Sequence, residues 1–458
     1  MSRSPAAVAT LFTLTALVAV SPSAAAQDTA RSTSERIDQL EQQIKILNRR
    51  REIEADSAAA AAKARASTSI GPDGFGFRSA DGNVRLKITG YLQADGRFYA
   101  GDTAKVLTNN LLIRRARPII DGTVYKYFDF RIMPDFGQGT PTLYETWIEA
   151  KLSLGLAIRA GKFKPPVSLE RLQSAADLRF VERGFPNNLA PNRDLGIQIG
   201  GELGGGVVIY AAGLFNGVAD LGFGDGDTND AKDLAGRLFV VPFAKQGKTA
   251  PIDLGFGIAG STGNERGTLA VPNTSSERSP GQATAFRYRT GTTVATGVIA
   301  DGRRSRVLPQ AYLYRGAVGL LAEYASNTHT VRRDTALRTI PHHAWQVAGS
   351  IFLTGEKASY RSVTPKHTFD PSKGQWGAIE LAARVQGTDV DQSAFPFFAD
   401  PAASAQKTKA WGVGVNWHLG KNLRVMLDYE RATFTGGAPN GLNRPVEQFI
   451  STRLQTAF

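Results

Sequence analysis

The chain of 458 residues contains no cysteine, which excludes a disulfide scaffold, thiolate metal sites and a cysteine nucleophile. Its 48 glycines exceed the average share of ~7%, and 24 Phe, 12 Tyr and 5 Trp accompany only 3 Met. With charged residues at 21% it is no disordered polyelectrolyte, and a formal net charge of +13 points to anionic partners.

Arg3 supplies a positive start, Ala6 to Val20 an apolar stretch, and Ala24-Ala25-Ala26 before Gln27 a small-residue cleavage site. Residues 1–26 are therefore expected to be a secretory signal, the stretch being too short for a membrane anchor and ending at Pro22. No later stretch is long and apolar enough for a transmembrane helix. A secreted basic chain of this kind is not expected to bind nucleic acid, so its charge serves another anion.

Ser32 and Glu35 have the spacing of a capping box and predict a helix opening there. Ile37, Leu40, Ile44 and Leu47 follow the spacing of a coiled-coil seam, and the alanine-rich run Ala58 to Ala66 can continue the helix. Isoleucine at a with leucine at d leans towards two strands, but two heptads make a weak bundle that a larger body would override. The plainer alternative is a solvated amphipathic spacer.

From about Val84 the period changes to two. Val84, Leu86, Ile88, Leu92 and Ala94 share one face, and Arg85, Lys87, Thr89, Gln93, Asp95 and Arg97 the other. Phe128, Phe130 and Ile132 alternate with Asp129 and Arg131, and Leu423, Val425, Leu427 and Tyr429 with Arg424, Asp428 and Glu430. A soluble sandwich alternates too, but the charged face and the signal favour a barrel with lipid outside and a polar lumen.

Strands are read near 84–99, 111–122, 125–136, 142–152, 155–163, 194–203, 205–216 and 232–242. The remainder lie near 251–262, 304–316, 317–327, 341–353, 375–389, 406–419, 421–434 and 446–458. The expected fold is thus all-β, a 16-stranded transmembrane antiparallel β-barrel over residues 80–458. A helical, coiled-coil segment and linker over 27–79 precedes it. Tight turns alternate with long loops near 100–110, 163–193, 217–231, 263–303, 328–340, 390–405 and 435–445, the outer-membrane arrangement. The short loop 137–141 and the long turn 354–374 break the alternation. Phe458 ends the chain as an aromatic suited to a closing strand.

The run GKFKPPVSLERLQSAADLRFVERGFPNNLAPNRDLGIQ (161–198), the block RRARPIIDGTVYKYFDFRIMPDF (114–136) and ETWIEAKL (145–152) resemble the phosphate-selective porins O and P. The resemblance covers about residues 80 to 458 and is strongest in the first third. It implies a trimeric outer-membrane porin that passes anions, phosphate or polyphosphate foremost. The helix resembles the short periplasmic arm that precedes the barrel in some relatives.

A sixteen-stranded barrel keeps a water-filled lumen, so selectivity needs a constriction and fixed charge. The loop Val167 to Arg193 is expected to fold inward on Leu169, Leu172, Leu178, Phe180, Val181 and Phe185. With its base it carries Lys162, Lys164, Arg171, Arg179, Arg183 and Arg193 against Glu170, Asp177 and Glu182. These six basic residues are the constriction candidates, since Arg offers bidentate bonds to phosphate oxygens and Lys a compact charge. Arg85, Lys87, Arg97, Arg115, Arg117, Arg131 and Arg159 are candidates for a lumen path. The bland alternative for each is a wall-holding ion pair, for example Arg131 with Asp129 or Arg424 with Glu430.

No cofactor and no metal site are expected. The turn GDGDTND (224–230) lacks the downstream glutamate of a calcium loop and reads as solvated. His342-His343 is placed at a strand start and read as interfacial. No histidine lies beside a nucleophile motif, so no enzyme is expected. The alternatives kept open are a general or cation-preferring diffusion porin and a porin that also tethers the envelope.

Overall fold

The computed structural model describes residues 25–63, 66–101, 107–227 and 229–458. They belong to two units that divide between residues 65 and 66. The expected signal lies, but for its last two residues, outside the described residues. The first unit is the helix α1 (Ala25–Lys63). It is already formed at Ala25, so Ser32 and Glu35 stand inside it and do not open it. Ala25, Ala26, Gln27 and Ala30 are good helix formers and carry the helix upstream. Ile37, Leu40, Ile44 and Leu47 are all exposed along it.

The second unit is the barrel. Its strands are β1 (Arg85–Ala100), β2 (Asn110–Val124), β3 (Phe128–Asp135), β4 (Thr142–Ser153), β5 (Leu156–Phe163), β6 (Asp194–Leu203), β7 (Val208–Phe215) and β8 (Asp233–Val240). They continue with β9 (Asp253–Arg266), β10 (Ile299–Arg315), β11 (Val318–Arg333), β12 (Ala336–Phe352), β13 (Ala378–Val390), β14 (Ala405–His418), β15 (Leu423–Gly436) and β16 (Glu447–Ala457). Each pairs antiparallel with the next. Pairing of β16 with β1, from Gln448↔Ala100 to Ala457↔Tyr91, closes the ring of sixteen.

Alternation decides which face each side chain takes. Along β15, Leu427 is 49% exposed and its neighbour Asp428 is 0% exposed. Ile148, Ile158, Ile197, Ile199, Leu238, Ile258, Val385 and Val413 join Leu427 on an exposed apolar outer wall. Such a wall suits hydrocarbon, where a midplane arginine costs roughly 2–4 kcal/mol. Leu427→Arg is therefore expected to lower barrel stability by that amount, read as denaturant resistance in lipid. An unchanged midpoint would mean that this register is wrong.

The structure departs from the expected layout in four places. Strands β11 and β12 run on to a tight turn at Asp334 (φ 53°), so no long loop spans 328–340. The pairs Val331↔Arg338 and Arg333↔Ala336 carry the ladder that far. Loop 263–298 holds a small hairpin, Ser276–Arg278 with Thr284–Arg287. Residues 67–78, expected as linker, form a hairpin around the turn signal Pro72-Asp73-Gly74. Its second strand pairs with Arg85 to Ile88, below the point where β16 stops, and so covers the free edge of the longer β1. The long turn expected at 354–374, finally, folds into the barrel as residues 353–377, with Ala358 buried beside Tyr314, Phe352 and Ala378.

Candidate functional site

The loop between β5 and β6 folds into the lumen and lies against the wall formed by β11 to β16. Leu169, Leu178, Phe180, Val181 and Phe185 are buried and Leu172 is half-buried. Val167, Phe185 and Leu189 pack on small residues of that wall, among them Ala325, Ala344, Ala410 and Ala432. Each full burial of such a side chain is worth about 1.5–3 kcal/mol. Polar anchors add direction. Glu323 accepts from Ser168 Oγ (2.9 Å), Leu169 N (2.6 Å) and Glu170 N (3.1 Å). Asp428 accepts from Val181 N, and Gln386 from Phe185 N. Glu323 and Asp428 of the far wall thus engage loop backbone, and of the loop's basic side chains Arg179 turns to Glu380 of that wall while Arg171, Arg183 and Arg193 face β1 to β5.

Two β-bulges shape that opposite wall. Gln93 pairs with Arg115 and Ala94 with Ile113, so Arg114 is an extra residue. Met133 pairs with Glu145 and Pro134 with Leu143, so Tyr144 is another. A bulge re-aims side chains, and here Arg114 joins Arg115 and Tyr144 joins Glu145 on the lumen side. Gly137 sits so close to the first bulge that a Cβ on it would lie 2.7 Å from the Arg114 carbonyl oxygen.

The outcome is an upper chamber of about 430 Å³ at the long-loop end. Arg97, Arg114, Arg115, Arg117, Arg171, Arg183 and Arg278 line it against only Asp135 and Glu182, with Asn187, Asn188 and Asn192 among the neutral groups. Glu182 holds three of the arginines, accepting from Arg114 Nε (2.6 Å) and Arg97 Nη2 (3.0 Å) with Arg115 Nη2 at 3.8 Å. Burial would push the Glu182 carboxyl up, but Arg114, Arg115 and Arg97 hold it well below the usual range. Asp135 binds Arg117 Nε (2.7 Å).

Arg171, Arg183 and Arg278 form no ion pair with a described carboxylate. Arg171 donates to Asn187 O (2.8 Å) and Asn192 Oδ1 (3.2 Å), and Arg183 to Glu170 O (3.0 Å) and Gln173 O (2.8 Å). Burial, then the charge of Arg183, brings Arg171 down to about 9; burial foremost lowers Arg183 too. These guanidinium groups lack a countercharge that a solute can supply.

A lower chamber of about 580 Å³ lies at the tight-turn end. It is lined by Arg85, Lys87, Arg131, Lys151, Arg159 and Lys164 against Asp121, Asp129, Glu145 and Glu149. The chambers adjoin across adjacent residues of β4, Tyr144 above and Glu145 below. At this junction Arg117 and Arg193 lie on the Tyr144 ring, 3.7 Å and 4.3 Å from its centre, and Arg193 pairs with Glu145 (2.6 Å). Lys164 donates to Leu172 O (3.1 Å) and Gln173 O (3.0 Å), and burial with nearby Arg193 holds its ammonium well below the ordinary range.

Of the six constriction candidates, Lys164, Arg171 and Arg183 line the chambers. Arg193 sits at the junction behind Tyr144. Lys162 pairs with Asp225 (2.6 Å), and Arg179 binds Glu380 (3.3 Å) and the carbonyl of Ser359. All seven path candidates line one chamber or the other: Arg97, Arg115 and Arg117 the upper, Arg85, Lys87, Arg131 and Arg159 the lower. Arg131 holds Asp121 (2.7 and 3.0 Å) and Glu145 (3.4 Å), not Asp129, and the partner of Glu430 is Arg384 (2.8 Å), not Arg424. Directly opposed cross-strand residues approach more closely than residues two apart on one strand, and Asp121↔Arg131 is such a pair. Glu430 reaches Arg384 across Gly412, which separates them in the ladder.

Arg114, Arg278 and Tyr144 were not among the candidates. Strict alternation turns Arg114 and Tyr144 outward, and Arg278 arrives on a distant loop. In the acidic turn, Asp225 and Asp227 pair with Lys162 and Lys232. His342 is not interfacial: it is buried between Tyr288 OH (2.7 Å) and Glu277 Oε1 (2.9 Å), because β12 begins well before it.

The sequence pattern of the phosphate-selective porin O and P family matches residues 86–458. Among solved structures, the outer membrane channel DcaP of Acinetobacter baumannii is similar over 84% of this chain and 99% of its own, with TM-score 0.53 and 9% identity. OmpT, an outer membrane protein of Vibrio cholerae, is similar over 82% and 98% (TM-score 0.51, 13% identity). The anion-selective porin from Comamonas acidovorans is similar over 82% and 100% (TM-score 0.50, 11% identity). At these identities the likeness is one of fold. No curated protein sequence matches the chain.

Proposed function

The chain belongs to the phosphate-selective porin O and P family and is an outer-membrane porin, not an enzyme; from that premise we propose that it selects anions and passes phosphate or polyphosphate by facilitated diffusion. The observation that carries the reading is the upper chamber, where seven arginines meet one aspartate and one glutamate and three of the seven have no carboxylate partner among the described residues. A solute oxyanion replaces water at these groups, and each arginine offers it two parallel donors. Conduction needs several weak sites in series, so a row of arginines held by carbonyls and shared carboxylates serves better than one deep pocket. Lys164 at the junction, then Arg159, Lys87 and Arg85, continue the basic path downward. The family reading also makes the protein a homotrimer, with α1 on the periplasmic side and its exposed seam adding to an assembly held chiefly by the barrel walls.

The four carboxylates of the lower chamber favour a second reading, a general or cation-preferring porin. Reversal potential across a potassium chloride gradient separates the two, and titration of phosphate against chloride current measures the site. Anion preference and phosphate block in the millimolar range or tighter are expected, roughly −4 kcal/mol or better. A channel that prefers potassium over chloride ends the anion reading.

A further inference from the structure

The inward segment 353–377 does more than fill space beneath the loop. The ring of Tyr360 stacks on Tyr312 at 5.2 Å and 15°, and its hydroxyl donates to Leu169 O (2.6 Å). Leu169 opens the short helix α2 (Leu169–Leu172), which carries Arg171. The carbonyl oxygen of Tyr360 accepts from Gln173 Nε2 (2.5 Å), the residue that closes α2. Gln173 is buried, and its own carbonyl is the acceptor shared by Lys164 Nζ (3.0 Å) and Arg183 Nη2 (2.8 Å). Lys164 lines the lower chamber and Arg183 the upper one. One peptide carbonyl therefore joins the two chambers by holding a cation of each, and the side chain of that residue is fastened to a segment that enters from the tight-turn side.

We infer that Tyr360 and Gln173 are positioning residues for anion selection, so that segment 353–377 sets the selectivity of the pore from its tight-turn side. The inference rests on the anion-channel reading and adds the device that holds its cations in place. A neutral carbonyl fixes a cation without cancelling its charge, whereas a carboxylate in the same place would fix and neutralise it. Gln173 O therefore keeps Lys164 and Arg183 both immobile and available. Without Tyr360, the Gln173 side chain keeps only the longer bond to Asp177 O (3.3 Å), so its carbonyl gains freedom to shift and the common anchor of both cations loosens. Hydrogen bonds to charged groups are among the stronger ones, so misplacement of two such groups reaches about tenfold effects on a bound anion.

The test uses the full chain in planar bilayers with two variants. Tyr360→Phe removes only the hydroxyl bond to Leu169 and keeps the stacked ring; Gln173→Leu removes the amide bonds to the carbonyls of Tyr360 and Asp177. Single-channel records sample folded pores alone, so reversal potential and phosphate block report position rather than stability. In both variants phosphate block is expected to weaken about tenfold, with the reversal potential moving towards zero and heat resistance retained. Unaltered block and reversal potential in both variants would overturn the inference. If the unmutated channel shows no anion preference, the function reading fails instead. Single-channel conductance then decides the positioning role: a changed conductance in the variants supports it, and an unchanged one refutes it.

Discussion

With Arg171 and Arg183 both exchanged for glutamine, the channel is expected to lose most of its phosphate block while staying folded. Both residues line the upper chamber and neither is paired with a carboxylate among the described residues, so their charge acts on the solute at full strength. Arg117 shares its charge with Asp135, and Arg97, Arg114 and Arg115 share theirs with Glu182. A unit charge about 4 Å from a solute charge in water is worth about 1 kcal/mol, and more where the wall excludes water. Loss of two such charges is then about 2 kcal/mol, roughly a thirtyfold weaker block. Glutamine retains a donor for the carbonyls of Asn187, Glu170 and Gln173, which limits the structural damage. Lys162→Gln is the matched control, because the ammonium of Lys162 already meets Asp225 and its removal is expected to leave block unchanged. Equal block in the double variant and the unmutated channel would place the filter elsewhere.

That contrast between Lys162 and Lys164 marks where sequence reasoning stops. Hydrophobic alternation carries across the whole wall, because lipid on one side and water on the other sort side chains at every second residue. All sixteen strands were legible for that reason, and a loop rich in Leu, Phe and Val was a candidate to fold inward, although its course was not legible. The partner of each cation was not legible. Lys162 and Lys164 are two residues apart and look alike, yet one meets a carboxylate more than sixty residues away in sequence and the other meets carbonyls of the loop's own helix. The bulges at Arg114 and Tyr144 were hidden for a related cause, since an extra residue shows only when the neighbouring strand is laid beside it. The inward turn of segment 353–377 depends on contacts of Tyr360 with Tyr312 and Leu169, both distant in the chain. Tight-turn segments of ordinary barrels give no such signal.

The largest change in conductance is expected from Glu323→Ala. This one carboxylate on β11 receives three donors at the start of the loop: the Ser168 hydroxyl and the backbone N–H groups of Leu169 and Glu170. Ser168 in turn caps α2 by accepting from Arg171 N (3.2 Å), so the anchor also orients the helix that bears Arg171. Charge-assisted bonds of this kind are worth about 1.5–3 kcal/mol each, and a buried donor left without a partner costs about 1–3 kcal/mol. Three donors lost together exceed what a single apolar contact of the loop returns, about 1.5–3 kcal/mol. The start of the loop should therefore lift from the far wall and take up water, carrying Arg171 away from the chamber. Single-channel conductance should rise severalfold and phosphate block should fall with it. The barrel itself should keep its heat resistance, because the ladder of β11 with β10 and β12 uses only the backbone of Glu323. Glu323→Gln, which retains one acceptor oxygen, is expected to lie between the two. A Glu323→Ala channel with unchanged conductance and block would show that Leu169, Phe180 and Phe185 hold the loop without help from the carboxylate.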